Sequence, residues 1–133
     1  FRITKIIISS IIVILVIIAD QISKYFVQKY LIINCNKGVA LGIGENVLFL
    51  VILVLLFVFL LIIKEKNFIP KLGLIFIFSG GISNLLDRMI TGCVRDFIAI
   101  VNLPSFNLAD LIITVGVLII VVEKIIVQRW HFK

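Results

Sequence analysis

The residues of this chain that could do chemistry are its aspartates. There are four, and three of them, Asp87, Asp96 and Asp110, fall in the stretch from Ser79 to Asp110 together with Asn84, Arg88, Arg95 and Asn107. Two carboxylates within hydrogen-bond reach cannot both ionise cheaply, so one keeps a proton while the other stays anionic. The anion can activate water; the acid can polarise a carbonyl and give up a proton. That is the chemistry of amide hydrolysis without a metal or a covalent intermediate. Such a pair titrates as a unit, so acid and base are not assigned individually. Competing chemistries are poorly supplied. The single histidine, His131, lies in the C-terminal tail, far from any serine or cysteine nucleophile system. There is no H-E-x-x-H, C-x-x-C or Cys/His cluster to bind zinc, and no cofactor is expected. Ser23 and Lys24 are adjacent, but neighbours on a helix point about 100° apart, which makes a poor serine–lysine dyad.

Around these polar residues the chain is mostly apolar. It has 133 residues, one domain by length, and 62% are hydrophobic. The mean hydropathy is +1.31, far above that of a soluble domain. The predicted elements are four membrane helices over approximately residues 4–26, 47–63, 70–90 and 108–127, long enough to cross a bilayer. The first lacks a small-residue cleavage site and is read as a permanent helix. The chain opens on Phe1 rather than Met, so its first residue need not be the native start. Residues 29–45 read as a polar connection in which Gly38, Gly42 and Gly44 allow turns. Residues 94–101 are rich in β-branched side chains and suggest a strand or hairpin arm, with a turn at Pro104 and Ser105. In the third helix Gly80, Asn84, Asp87 and Arg88 share one face, which cannot look at lipid.

Charge sets the orientation. Four spans put both termini on one side, with Arg2, Lys5, Lys64, Lys66, Lys71, Lys124, Arg129 and Lys133. The other side holds only Lys24, Lys29, Lys37, Arg88 and Arg95. The excess of basic residues predicts cytoplasmic termini, and all four aspartates then converge at the outer membrane boundary. The net charge of +6 is distributed as topology signals rather than as a basic face with interleaved aromatics, so no nucleic-acid partner is expected.

Five motifs occur in order: D-Q-I-S-K at 20–24, N-K-G-V-A-L-G at 36–42, G-G-I-S-N-L-L-D-R at 80–88, G-C-V-R-D-F-I at 92–98 and F-N-L-A-D-L-I-I at 106–113. On these the chain resembles the lipoprotein signal peptidase (signal peptidase II) family of bacterial aspartyl proteases. The resemblance implies an all-α integral membrane fold of four transmembrane helices with a small extracytoplasmic β-rich cradle. It implies an enzyme of the cytoplasmic (inner) membrane that removes the signal peptide from diacylglyceryl-modified prolipoproteins, cutting before the lipidated cysteine. The catalytic aspartates map onto Asp96 and Asp110. Asn36, Asn84, Arg88, Asn107, Asp20 and Lys24 map onto substrate-binding or supporting positions. Val39 and Leu41 stand where the family has small and aromatic residues. The connections before Asn36 and between Asp96 and Asp110 are short for the family, which implies a reduced cradle.

Each residue also has a plainer reading. Asp110 sits where a helix N-cap would. Asp87 is expected to pair structurally with a cation. Asp20 and Lys24 suit an i,i+4 pair as well as a substrate or lipid contact. Asn36 is a turn residue by default, and Arg95 suits lipid headgroups. Cys35 and Cys93 both fall on the outer side, where a disulfide is allowed, but nothing in their spacing demands one. The stretch I-I-N-C before Cys35 is a poor lipobox, so self-processing is not expected. The expected partners are a lipidated prolipoprotein and membrane lipids, with the protein a monomer. Two other classes compete: a small proton-coupled transporter using Asp20 or Asp87, and a non-catalytic membrane scaffold.

Overall fold

A computed structural model describes residues 2–38 and 47–131, with side chains outside the described set for residues 2, 3, 5 and 128–131. The V-A-L-G half of the second motif, including Val39 and Leu41, and the glycines at 42 and 44 lie outside the described residues. So do the side chains of Arg2, Lys5, Arg129, His131 and Lys133.

Four helices and two short strands occur in the order α1 (Arg2–Tyr30), β1 (Asn34–Asn36), α2 (Val47–Lys64), α3 (Phe68–Thr91), β2 (Val94–Asp96) and α4 (Leu108–His131). The helix α3 is the hub. It packs most extensively on α4, and α1 and α2 also lie against it. The α3–α4 contact is close because side chains are missing where the helices cross. A Cβ on Gly80 would stand 2.6 Å from the Ala109 carbonyl oxygen, and one on Gly73 2.7 Å from that of Gly116. Two crossings seven residues apart on α3 hold the helices backbone to backbone, so the short side chain of Asn84 can reach α4.

Burial is inverted relative to a soluble protein. The buried side chains include Asp20, Lys24, Ser79, Ser83, Asn84, Asp87, Asp96 and Asn107, whereas Phe49, Phe57 and Ile63 of α2 are each more than 60% exposed. An apolar exterior around a polar interior is stable when the surrounding solvent is hydrocarbon. Among the described residues three helices are long and apolar enough to cross a membrane: Ile6–Tyr30, Val47–Lys64 and Phe68–Thr91. Four spans are expected from the sequence; α4 is the fourth helix but is not among these three. In addition α1 continues to Tyr30, past the expected end near residue 26, so Asp20 lies about 15 Å of helix before that end.

The strands β1 and β2 pair antiparallel, with Asn34 opposite Asp96, Cys35 opposite Arg95 and Asn36 opposite Val94. Beyond β2 the chain makes a narrow excursion, closed by an antiparallel bridge between Ile98 and Phe106. Its turn is centred on Val101 and Asn102, three residues earlier than Pro104 and Ser105. The Leu103 amide donates to the Ile100 carbonyl at 3.0 Å, and Asn102 takes a φ of 67°. Asparagine tolerates that left-handed conformation better than other residues with a side chain. A second correction concerns the cysteines. Cys35 and Cys93 form a disulfide, with 5.5 Å between their Cα atoms. Their spacing in sequence does not signal it, because the proximity is created by the pairing of β1 with β2.

Candidate active site

The polar interior divides into two joined clusters. The first is built on Lys24. Its ammonium lies 2.6 Å from Asp20 Oδ2 and 3.1 Å from Asp87 Oδ2, and donates to Asn84 Oδ1 at 3.0 Å. All three of its protons are thereby placed. Asp20 accepts from Ser83 Oγ at 2.6 Å and, through Oδ1, from the Ala109 amide at 2.9 Å. That amide is one of the unpaired donors in the first turn of α4, so α1 reaches across to cap a different helix. Asp87 accepts from the Arg95 amide, the Arg95 guanidinium and Gln21 Nε2, in addition to Lys24. Arg95 also donates to Gln21 and Gln28 of α1. It is therefore a structural cation across the top of α1 and α3, not the headgroup contact its loop position suggests.

The second cluster contains Asp96, from β2, and Asp110, from the first turn of α4. The sequence F-N-L-A-D folds as a capping box. Asn107 Oδ1 accepts from the Asp110 amide at 3.0 Å, and Asp110 Oδ2 accepts from the Asn107 amide at 3.1 Å. The N-cap is thus Asn107, with Asp110 three residues inside it, rather than Asp110 itself. The Asn107 side-chain amide is left free to donate to Asp96 Oδ1 at 2.8 Å and to Asn84 Oδ1 at 3.1 Å. Asn84 donates in turn to Asp110 Oδ1 at 2.8 Å. From β1, Asn36 donates to Asp96 Oδ2 at 3.0 Å, and its own Oδ1 accepts from the Gly38 amide at 2.9 Å. Gly38 has a φ of 69°, a conformation that favours glycine and accounts for the N-x-G spacing.

Both carboxylates therefore rest on neutral amides. Among the described residues no ion pair reaches either one; the salt bridges there join Lys24 and Arg95 to Asp20 and Asp87. Arg88, on α3, is close enough to act on both through space, and its Nε is buried without a hydrogen-bond partner. Burial pushes the Asp96 carboxyl above the usual carboxylate range and the neighbouring Asp110 pushes it the same way, against the Asn36 and Asn107 hydrogen bonds and the charge of Lys24. Asp96 is 2% exposed, whereas Asp110 is half-buried and Asn36 exposed, so the pair opens to the outside on that side.

Of the sequence-predicted residues, Asn36, Asn84, Asn107, Asp96 and Asp110 come together directly. Asp20, Lys24 and Asp87 form the buried cluster behind them and are 0% exposed. Ser23 turns back to its own helix, donating to the Asp20 carbonyl at 2.7 Å, so no serine–lysine dyad forms. Gln21 and Ser83 were not singled out by sequence reasoning. The available signal was spacing: Gln21 and Gln28 are one heptad apart on α1, and Ser83 lies four residues before Asp87 on α3.

The fold and the site together define an integral membrane protein with an amide-held carboxylate pair, partly exposed at Asp110, near the end of a helix bundle. A family model described as signal peptidase (SPase) II matches residues 12–126. The chain is 32% identical to a lipoprotein signal peptidase of Borreliella afzelii over 91% of each chain. It is 34% identical to one of Caldicellulosiruptor bescii, over 77% of this chain and 81% of that one. A bacterial membrane enzyme solved by the in meso method at 2.3 Å superposes with a TM-score of 0.72 at 25% identity, covering 88% of this chain and 87% of the other. The chain belongs to the signal peptidase II family.

Proposed function

We propose that this protein is the aspartyl endopeptidase that removes the signal peptide from diacylglyceryl-modified prolipoproteins in the bacterial inner membrane, with Asp96 and Asp110 as its catalytic pair. The observation that carries this reading is that one asparagine, Asn107, binds both carboxylates while, among the described residues, no cation forms an ion pair with either. A carboxylate locked to lysine or arginine is a poor base and never an acid at neutral pH; one held by amides and raised by burial can be either. A water between Asp96 and Asp110 loses its proton to the anionic partner as it attacks the peptide carbonyl. The protonated partner donates to the developing oxyanion. The proton taken from water then passes to the leaving amine as the bond breaks. The amides of Asn36, Asn84 and Asn107 keep both carboxylates oriented throughout, which lowers the reorganisation needed in the transition state.

In this reading the helix α4 is the fourth span, the termini are cytoplasmic and the pair faces the outer side. The asymmetry of basic residues supports that orientation, and so does the Cys35–Cys93 disulfide beside the site, since disulfides persist in oxidising compartments. The protein acts as a monomer surrounded by lipid, with the diacylglyceryl group of the substrate in the bilayer. A transporter reading is disfavoured because every oxygen of Asp20 and Asp87 is already occupied by donors, leaving no carboxylate to carry protons. The test is incubation of purified protein with a lipidated prolipoprotein, followed by mass spectrometry. Release of the signal peptide with a new N-terminal lipidated cysteine is expected, and Asp96→Asn and Asp110→Asn proteins should leave the precursor intact. Normal turnover by either variant would overturn the assignment.

A further inference from the structure

We infer that Cys35 and Cys93 are positioning residues for the carboxylate pair, and that their disulfide makes activity conditional on oxidation. This rests on the peptidase reading above. The geometry points to it through β1. That strand is only three residues long and exposed along its whole length, yet it delivers Asn36 to Asp96. A two-stranded pairing of that size is at best marginal by itself. Its other ties among the described residues are the Asn34–Ser105 bond at 2.7 Å and the disulfide. The disulfide joins the residue before Asn36 to Cys93, two residues past the end of α3 and 4% exposed. It fastens the short strand that carries Asn36 to the end of the helix at the centre of the bundle, closing a separation of 58 residues.

The bond is reachable from one side. Cys35 is exposed and lines two cavities, one of about 450 Å³ shared with Asn36 and Ser105, and one of about 250 Å³ shared with Gln28 and Arg95. An external dithiol attacks the Cys35 sulfur as thiolate, forming a mixed disulfide and expelling the Cys93 thiolate, which takes up a proton. The second thiolate of the reagent then attacks its own sulfur in the mixed disulfide and releases Cys35. The dithiol is oxidised by two electrons to a cyclic disulfide, and the two cysteines are reduced. Once β1 is loose, Asp96 loses the Asn36 hydrogen bond and keeps that of Asn107. The charges facing it are then Lys24 from α1, Arg88 from α3 and Asp110 from α4. Losing a donor to the carboxylate form favours the protonated form, so the titration of Asp96 moves to higher pH.

The test compares protein kept oxidised with protein reduced by dithiothreitol and alkylated, both in the same detergent. Cleavage of a lipidated prolipoprotein should fall roughly ten- to a hundredfold on reduction, its alkaline limb should move to higher pH, and reoxidation without alkylation should restore both. The Asn36→Ala protein should show the same pH displacement with its disulfide intact, and reduction should add little to it. The Asp96 titration followed by carboxyl-carbon NMR reports independently of turnover. An unchanged Asp96 titration in the reduced protein, or additive effects of reduction and Asn36→Ala, overturns the inference. Oxidised protein that leaves the prolipoprotein intact overturns the peptidase reading instead.

Discussion

Asp20 and Asp87 are linked to Asp110 through one lysine and one asparagine, Lys24 and Asn84, yet the pair Asp20/Asp87 and the pair Asp96/Asp110 are held by different kinds of donor. The first pair surrounds Lys24 and takes Arg95 as a second cation, with no exposure at Asp20, Lys24 or Asp87. The second pair is held by Asn36, Asn84 and Asn107, and opens outward at Asp110. Four aspartates of the same intrinsic acidity are thereby given two tasks. The salt-bridged carboxylates tie α1, α3 and α4 together through buried ion pairs and hydrogen bonds; the amide-held ones meet no ion-pair partner among the described residues. Asn84 is the joint between them. It accepts from Lys24 and donates to Asp110, so the orientation of Asp110 is tied to the lysine cluster.

The strongest way to break this comparison is to neutralise one member of each pair. Asp96→Asn or Asp110→Asn should lower prolipoprotein cleavage by about 10³-fold or more while the melting temperature in detergent stays near that of the wild type. Asp87→Asn should do the reverse, keeping turnover in whatever fraction folds. Equal loss of turnover in all three would erase the distinction. Next in size, Lys24→Met leaves Asp20 as a buried charge without a cation and Asp87 with Arg95 alone, and should cost about 3–5 kcal/mol of stability, read by thermal or chaotrope unfolding in micelles. A smaller effect follows from Gly80→Ala, where the new methyl meets the Ala109 carbonyl. About 1–3 kcal/mol of stability should be lost. Because α4 is pushed off α3, turnover should fall too, unlike for a change on the lipid-facing side of α2.

The smallest effect is on pH. Asp96 is raised above its ordinary range, so its carboxyl binds a proton more tightly folded than unfolded. Stability is therefore highest at acid pH as far as this group is concerned, and declines as pH rises from the ordinary carboxylate range through the raised value. The Asp96→Asn protein should lack that decline. A wild-type melting temperature unaffected by Asp96→Asn at every pH from 4 to 7 would show that burial does not perturb this carboxyl.

Much of the site could be read before any coordinates. The motif F-N-L-A-D announces a helix start, and its capping box needs only local geometry. The polar face of α3 was legible because helical spacing puts Asn84 and Asp87 where lipid is excluded. The role of Arg95 was not legible, because its partners Asp87, Gln21 and Gln28 come from two helices, and only packing chooses between them and a headgroup. The disulfide was missed for a related reason: strand register is a long-range property. Asp20 and Lys24 suit an ion pair by their i,i+4 spacing, but that the pair is buried among Ser83, Asn84 and Asp87 of α3 follows only from packing.

What the sequence by itself determined is the class: apolar runs long enough for a bilayer, with a few polar and acidic residues set among them. These depend on composition and on periods of a few residues, which a chain carries whatever its neighbours are. Which carboxylates meet a cation and which meet amides was decided only by the tertiary structure. That choice turns on whether a lysine from α1 or an asparagine from the start of α4 comes within about 3 Å of each oxygen. Differences of a few ångströms at that range are set by where Gly80 lets two backbones touch, not by any local pattern.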